Sequence, residues 1–291
     1  MFPRPSKGNS IPSYAELIHQ NAILGCGTWS GWEQITFHSQ PELIWYHSSV
    51  QDILFNSVLH SDMTLDSFRR NLETVSDYCN KANCSIAWLV SNPAILTNTH
   101  RALFEEYSFQ EKSGTTGMYL QLAEPDTQLI VAPKESEDNS QEQIEIVCDN
   151  STLREWTETL IRSYHFPVTL IESWYQLHEA IGYRSADSAK NAKSQIADSL
   201  WEHYILRSGN DVVATGSILC GQGEHQSSFA NLAVLPERRG GGYGSRLARF
   251  CLSKLREYGY ATVTLYASQD AYNLYTRLGF STSYRNTFFI R

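Results

Sequence analysis

From Val234 to Ser245 the chain reads V-L-P-E-R-R-G-G-G-Y-G-S, with four glycines in the five positions from Gly240 to Gly244. Glycine reaches positive φ and carries no Cβ, so successive backbone N–H groups can converge on one concave spot. A helix predicted from Ser245 adds the unpaired donors of its own N-terminus. Arg238 and Arg239 bring positive charge beside them. The chemistry of such a turn is the holding of a phosphate or pyrophosphate. A P-loop needs a lysine after its glycines, and none follows here. A dinucleotide fold needs G-x-G-x-x-G early in a βαβ unit, whereas these glycines come late and in another order.

The elements that must position this turn are legible around it. Ala230 to Val234 is a short apolar run read as a strand, which Pro236 ends because it has no N–H for the ladder. Ser245 to Tyr258 has Leu247, Cys251, Leu255 and Tyr258 on one side, the spacing of an amphipathic helix. Val263, Leu265 and Ala267 alternate as a strand. A helix from about Ala271 to Leu278 and a strand from Thr287 to Ile290 follow. Strand, glycine turn, helix, strand, helix, strand is an α/β pattern.

Two motifs in this order carry a resemblance. Val234-x-Pro236-Glu237-x-Arg239-x-x-Gly242-x-Gly244 resembles the R/Q-x-x-G-x-G/A signature of the GNAT superfamily of N-acetyltransferases. Ala271-x-x-Leu274-Tyr275-x-x-Leu278-Gly279-Phe280 is similar to that family's A-x-x-L-Y-x-x-x-G-F helix. The resemblance implies that the backbone of Arg239, Gly240, Gly241, Gly242, Tyr243, Gly244 and Ser245 holds the pyrophosphate of acetyl-coenzyme A as cosubstrate, with no metal. It implies that the strand at Ala233 and Val234 splays from its neighbour, where a backbone N–H polarises the thioester carbonyl. Ser268 stands where many members place an asparagine against the pantetheine arm, and Gly241 where many carry a basic residue. Phosphate attraction is therefore expected to lean on Arg238 and Arg239. By the same resemblance Tyr275 is the acid that protonates the departing thiolate, as a phenol of pKa about 10 can.

The implied activity is transfer of an acetyl group to a primary amine of a small molecule, peptide or protein. The other reading is a coenzyme-A-binding interaction protein with little or no transfer. No general base is assigned: Ser227 to Asn231 holds no carboxylate, and Glu202, Glu224 and His225 read as solvated surface residues. Trp174, Tyr175, His178 and Tyr183 suit either an aromatic cradle for an amine or plain core, and core is the simpler expectation.

The first half echoes the second. Leu103-Phe104-Glu105-Glu106-Tyr107-Ser108-Phe109 parallels Leu274 to Phe280, Ser85 to Val90 parallels Thr262 to Ala267, and Phe55 to Leu59 parallels Ala230 to Val234. A diverged second copy of the fold is implied, and a silent one. Its turn region, His60 to Asp66, has two acids and no glycine, and Phe104 replaces the tyrosine. The expected fold class is α/β (α+β): tandem GNAT-like domains, each a mixed, mostly antiparallel sheet flanked by helices. Residues 1–135 form the non-catalytic copy and 143–291 the catalytic one. Residues 136–142 link them, within P-K-E-S-E-D-N-S-Q-E, which has four acids, one lysine and no apolar residue. Capping boxes are read at Ser13/Glu16, opening a helix through about Asn21, and at Thr152/Glu155. Leu65, Phe68, Leu72 and Val75 predict a further helix.

Composition bounds the rest. A chain of 291 residues, 42% hydrophobic and 19% charged, can bury a core of one large or two ordinary domains. A net charge of −8 argues against a nucleic-acid partner. The six cysteines form no C-x-x-C pair and the histidines no H-x-x-x-H, so reduced thiols and no metal site are expected. No segment approaches the roughly 20 apolar residues of a membrane span, and M-F-P-R-P-S-K-G-N-S lacks an apolar run. A cytoplasmic monomer or homodimer with no membrane partner is the expectation.

Overall fold

A computed structural model of the protein describes residues 12–122, 142–184 and 199–291. The first half opens with α1 (Tyr14–Gly27), followed by strands β1 (Ile35–Gln40), β2 (Leu43–Ser48) and β3 (Ser57–Ser61). Next come α2 (Leu65–Ala82), β4 (Ala87–Val90), α3 (Asn98–Glu106) and β5 (Gln110–Gln121). The second half comprises β6 (Glu142–Ile146), α4 (Asn150–Ser163), α5 (Leu170–Ile181), β7 (Trp201–Ser208), β8 (Asp211–Cys220) and β9 (Ser227–Val234). It ends with α6 (Tyr243–Glu257), β10 (Thr262–Ala267), α7 (Gln269–Arg277) and β11 (Ser281–Ile290). Of the linker read from the sequence, all but Glu142 lies outside the described residues, and Glu142 itself opens β6.

Local chemistry explains the helix starts. Ser13 and Glu16 form the expected reciprocal box, with the Ser13 N–H donating to Glu16 Oε2 at 2.7 Å and the Glu16 N–H to Ser13 Oγ at 3.3 Å. The helix they open runs on to Gly27, well past Asn21. At α4 the box sits one turn earlier than Thr152/Glu155. Asp149 is the N-cap, accepting from the Thr152 N–H at 2.8 Å, because its carboxylate is a stronger acceptor than a threonine hydroxyl. Glu155 is thereby released to pair with Arg207.

All eleven strands form one sheet in the order β1-β2-β3-β4-β11-β5-β10-β9-β8-β7-β6. Among the described residues, β3/β4 and β9/β10 pair in parallel and the other neighbours antiparallel. The two expected sheets are fused because the halves exchange their last strands. β5 of the first half lies between β11 and β10, and β11 of the second lies between β4 and β5. Each half's sheet is thus completed by the other's strand.

Three cores follow. One packs α6 and α7, through Leu247, Cys251, Leu255 and Tyr275, against β5, β8 and β10. A second packs α2 and α3 on the first half's strands, with Phe104 stacked on Phe289 of the exchanged β11 at 3.7 Å between centroids. The third belongs to both halves: Trp32, Tyr46 and Phe55 of the first meet Trp156, Leu160 and Trp174 of the second.

The exchanged strands lie close together at Gly114, where β5 bulges so that Gly114 and Thr115 both face Asn286 of β11. The Asn286 Oδ1 accepts from the Thr115 N–H at 2.6 Å, and its Nδ2 donates to Thr115 Oγ1 at 2.9 Å. A Cβ on Gly114 would lie 2.1 Å from the Asn286 carbonyl oxygen, a backbone atom with no rotamer to escape through. Gly114→Ala is expected to lower stability by roughly 2–4 kcal/mol. A urea unfolding midpoint within error of the unmodified protein would contradict this.

Candidate functional site

The site is built on the parallel pair β9/β10. Its register contains one pair, Thr264 opposite Ser228, after which the strands run on to Val234 and Ala267 unpaired with each other. Parted strands leave backbone polar groups that need other partners. On the paired side, Asn21 of α1 supplies some. Its buried Nδ2 lies 3.0 Å from the His225 and Ser227 carbonyls and from Thr264 Oγ1, so one amide ties β9, β10 and the first helix together.

Beyond the parting, β9 bulges. The β8/β9 register steps from Ser217–Ala230 to Thr215–Ala233, so Asn231 and Leu232 face Gly216 alone. Asn231 takes φ of 56°, a left-handed conformation that asparagine tolerates better than most residues. Hydroxyls from other elements hold both carbonyls of the bulge: Thr215 Oγ1 donates to the Asn231 oxygen and the Tyr164 hydroxyl to the Leu232 oxygen, each at 3.0 Å. Ala233 and Val234 follow directly on this bulge.

After β9 a short 3-10 turn, Pro236–Arg238, leads to Arg239 and the glycines. Gly240 (φ 83°) and Gly242 (φ 80°) are in the left-handed region, where a Cβ costs about 1 kcal/mol or more. Gly242 is the N-cap of α6 and no side chain caps that end. Among the described residues, no acceptor takes the N–H groups of Gly240 through Ser245. Unclaimed donors thus gather at a helix start, where the macrodipole adds positive potential. A Cβ on Gly241 would meet the Tyr243 ring at 2.7 Å, and one on Gly244 would lie 3.4 Å from Val234 Cγ2, so α6 packs closely on β9 there.

Both arginines of the turn have protein partners. Arg238 pairs with Asp211 at 3.1 Å, and Arg239 donates to the carbonyls of Val234 (3.3 Å) and Ser163 (2.8 Å). Both guanidiniums therefore brace the turn against its surroundings. The cation at the glycines is Arg246, which donates to the Gly241 carbonyl at 3.1 Å, lies over the Tyr243 ring and pairs with Glu142 at 2.8 Å. The sequence reading missed it because it lies inside the helix, past the motif.

On the far side, Ser268 ends β10 and caps α7, its Oγ accepting from the Ala271 N–H at 3.3 Å. Tyr275 projects from α7 into the core, 5% exposed, edge-on to Phe229 and Phe280. Burial, with smaller contributions from the Tyr164 phenol and the Cys251 thiol, pushes its pKa well above the ordinary phenol range. The phenol is held protonated.

Glu202 departs from its reading as a surface residue. It is 4% exposed, accepting from the Tyr204 hydroxyl at 2.5 Å and the Tyr258 hydroxyl at 3.1 Å, so two phenols take the place of water. Glu224 is exposed, and His225 lies 3.5 Å from it while sharing a hydrogen bond with Thr262. Trp174, Tyr175 and His178 are buried and Tyr183 is half-buried.

The first half shows what the same frame becomes without the turn. β3/β4 part after Ser57–Ala87 and Val58–Trp88. Setting Ser57–Ala87 on Ser228–Thr264 matches His60, not Asn56, to Asn231, four residues away from the parallel drawn from sequence. Only residues 62–64 separate β3 from α2, where residues 235–242 separate β9 from α6. His60 there shares a hydrogen bond with His19 of α1 at 3.3 Å, and His19 one with Ser91 at 2.8 Å.

Comparison with known proteins agrees with this geometry. Residues 199–282 match the family described as an acetyltransferase (GNAT) domain. The fold resembles a GCN5-related N-acetyltransferase from Kribbella flavida, with TM-score 0.63, 10% identity and 96% of each chain covered. It resembles a tandem GNAT protein from the clavulanic acid biosynthesis pathway at TM-score 0.60 and 12% identity, over 96% of this chain and 93% of that one. A GCN5-related N-acetyltransferase from Sphaerobacter thermophilus aligns at TM-score 0.57 and 14% identity, again over 96% and 93%. No curated protein matches the chain. The fold is therefore of the tandem GNAT kind, with the stretch that matches the acetyltransferase (GNAT) domain lying in its second half. Among the described residues, no helix is long and apolar enough to cross a membrane.

His178 and His203, behind the bulge, carry a pH consequence. Both rings are essentially buried, and His178 finds no partner for either nitrogen among the described residues. Burial lowers His178 to about 3, and burial with the neighbouring His178 lowers His203 well below the usual range. The folded state keeps both neutral while an unfolded chain protonates them below about pH 6.5. Stability present above that pH is therefore lost as pH falls, by roughly 1 kcal/mol per unit for each. His178→Phe, which removes the unpaired nitrogens, is expected to flatten this loss and raise stability at pH 5. A steeper acid dependence in the variant would show the assignment to be wrong.

Proposed function

We propose that the protein transfers the acetyl group of acetyl-coenzyme A to a primary amine. The observation that carries this is the uncapped start of α6, with the N–H groups of Gly240 to Ser245 free, at the end of the strand that parts from its neighbour. A pyrophosphate suits those N–H groups, with Arg246 as the nearby cation. The pantetheine arm and thioester then follow the opening between Ala233–Val234 and Ser268.

In the transfer, the neutral amine attacks the thioester carbonyl, the C–N bond forms, the C–S bond breaks and the amine loses a proton. The phenol of Tyr275 gives its proton to the departing thiolate, and proton exchange with solvent restores the phenol. Among the described residues of the first half, a second cofactor site finds no support: the loop of residues 62–64 is too short for the turn, and Phe104 has no proton to give.

Release of free thiol from acetyl-coenzyme A across a panel of amines tests the reading directly. Tyr275→Phe is expected to lower kcat about 100-fold while leaving KM for acetyl-coenzyme A unchanged. Because burial keeps this phenol protonated beyond its usual range, kcat should show no falling limb from it up to about pH 10. Full turnover by the phenylalanine variant, or a limb near pH 8 that the variant abolishes, would refute the role given to Tyr275.

A further inference from the structure

We infer that Asn231 is the residue that receives the acceptor amine, its side-chain oxygen taking a hydrogen bond from the attacking nitrogen while Ser217 and His203 fix its orientation. This rests on the transfer reading above. The bulge backbone is already pinned by Thr215 and Tyr164, so it does not require the asparagine amide. That amide is nevertheless oriented. Asn231 Nδ2 donates to Ser217 Oγ at 3.3 Å, and Ser217 Oγ lies 2.8 Å from His203 Nδ1.

With the Asn231 amide donating to it, the Ser217 oxygen keeps a proton and a second lone pair, either of which can meet His203 Nδ1. Ser217 and His203 are both fully buried, so this contact is shielded from bulk water. With the amide nitrogen fixed, the opposite atom, Oδ1, is fixed as well. Among the described residues it accepts no hydrogen bond, and Asn231 is half-buried on the parted stretch of β9.

The first half supplies a contrast within one chain. His60, at the corresponding position, is sealed by His19. Asn56, the asparagine the sequence suggested as counterpart, is fully committed: its Oδ1 accepts from the Ser48 N–H, and its Nδ2 donates to the Val50 and Asp52 carbonyls. The half that lacks the glycine turn leaves no acceptor free at this place, and the half that has it does.

The need for a neutral nucleophile narrows the substrate, since an amide oxygen brings no charge with which to draw a proton off an ammonium ion. At pH near 8 about half of an α-amine of pKa about 8 is neutral, whereas a lysine ε-amine, near 10.4, is almost wholly charged. The favoured acceptors are therefore weakly basic primary amines, of which an α-amino group is one.

The test uses the full chain, acetyl-coenzyme A, and lysine derivatives blocked at one or the other nitrogen. Asn231→Gly retains the positive φ and removes the amide. It should raise KM for the α-amine about tenfold while acetyl-coenzyme A affinity, by calorimetry, stays within twofold. Ser217→Ala, which frees the amide to rotate, should raise the same KM about threefold, again with unchanged cofactor affinity. Turnover by the unmodified protein with an amine KM that Asn231→Gly leaves unaltered overturns this inference and spares the transfer reading. Equal losses in amine KM and cofactor affinity would make Asn231 merely structural and overturn it too. Cofactor binding without turnover on any amine removes the transfer reading and this inference together.

Discussion

Everything at the site depends on two parallel strands that stop pairing. β9 and β10 share the single pair Ser228–Thr264 and then separate. Separation exposes backbone groups whose isolation from partners costs about 1–3 kcal/mol each when buried. The fold meets this with side chains from elsewhere: Asn21 from α1 at the closed end, Thr215 from β8 and Tyr164 from the end of α4 along the opening. What remains unclaimed is at the far end, the N–H groups of Gly240 to Ser245. The opening is therefore a place from which the protein has withdrawn its own partners selectively, leaving donors where an anionic ligand can use them.

This constraint explains why the two halves cannot be understood separately. Asn21 belongs to the first helix of the chain yet holds the root of the second half's opening. β5 closes the sheet beside β10, and β11 closes it beside β4. The third core, with Phe55 of the first half edge-on to Trp174 of the second, has no equivalent within either half alone. The first half is tied to the second by these contacts: removing it would unpair β10 and β11 and bare the amide-bonded root of the opening.

What the sequence disclosed and what it hid divide along one line, the distance to the interacting partner. The glycine turn, α6 and the Tyr275 helix were readable because their chemistry is local: positive φ, helix-start donors and 3.6-residue spacing are written in consecutive residues. The Ser13 box was readable for the same reason. At α4 the competing cap, Asp149, lay just upstream of the motif that drew attention. Glu202 was misread because charged residues are usually solvated, and nothing nearby in sequence announces Tyr258 as its second phenol. Asn21 and Asn231 gave no signal at all, since their roles come from β-sheet register and from atoms tens to hundreds of positions away. The internal repeat was seen correctly in outline but displaced by four residues at β3, because short apolar strands align to one another at several offsets and only the parallel pairing fixes the match.

The first half's opening shows how little separates an open turn from a closed one. Its parallel strands part as their counterparts do, and its β2/β3 ladder carries a register shift as β8/β9 does. The difference is the connection to the next helix, residues 62–64 against residues 235–242. With so few residues there is no length in which successive N–H groups can converge, and Asp62 turns back to cap Thr64 instead. A ligand-free opening would leave polar backbone unsatisfied, and here α1 fills it, placing His19 between His60 and Ser91. Burial and the facing His60 lower His19 to about 4, so the plug is neutral at physiological pH and brings no buried charge. The same helix thus closes one opening with His19 and, two residues later, anchors the root of the other with Asn21. The asymmetry between the halves is in this way fixed by one helix lying against both.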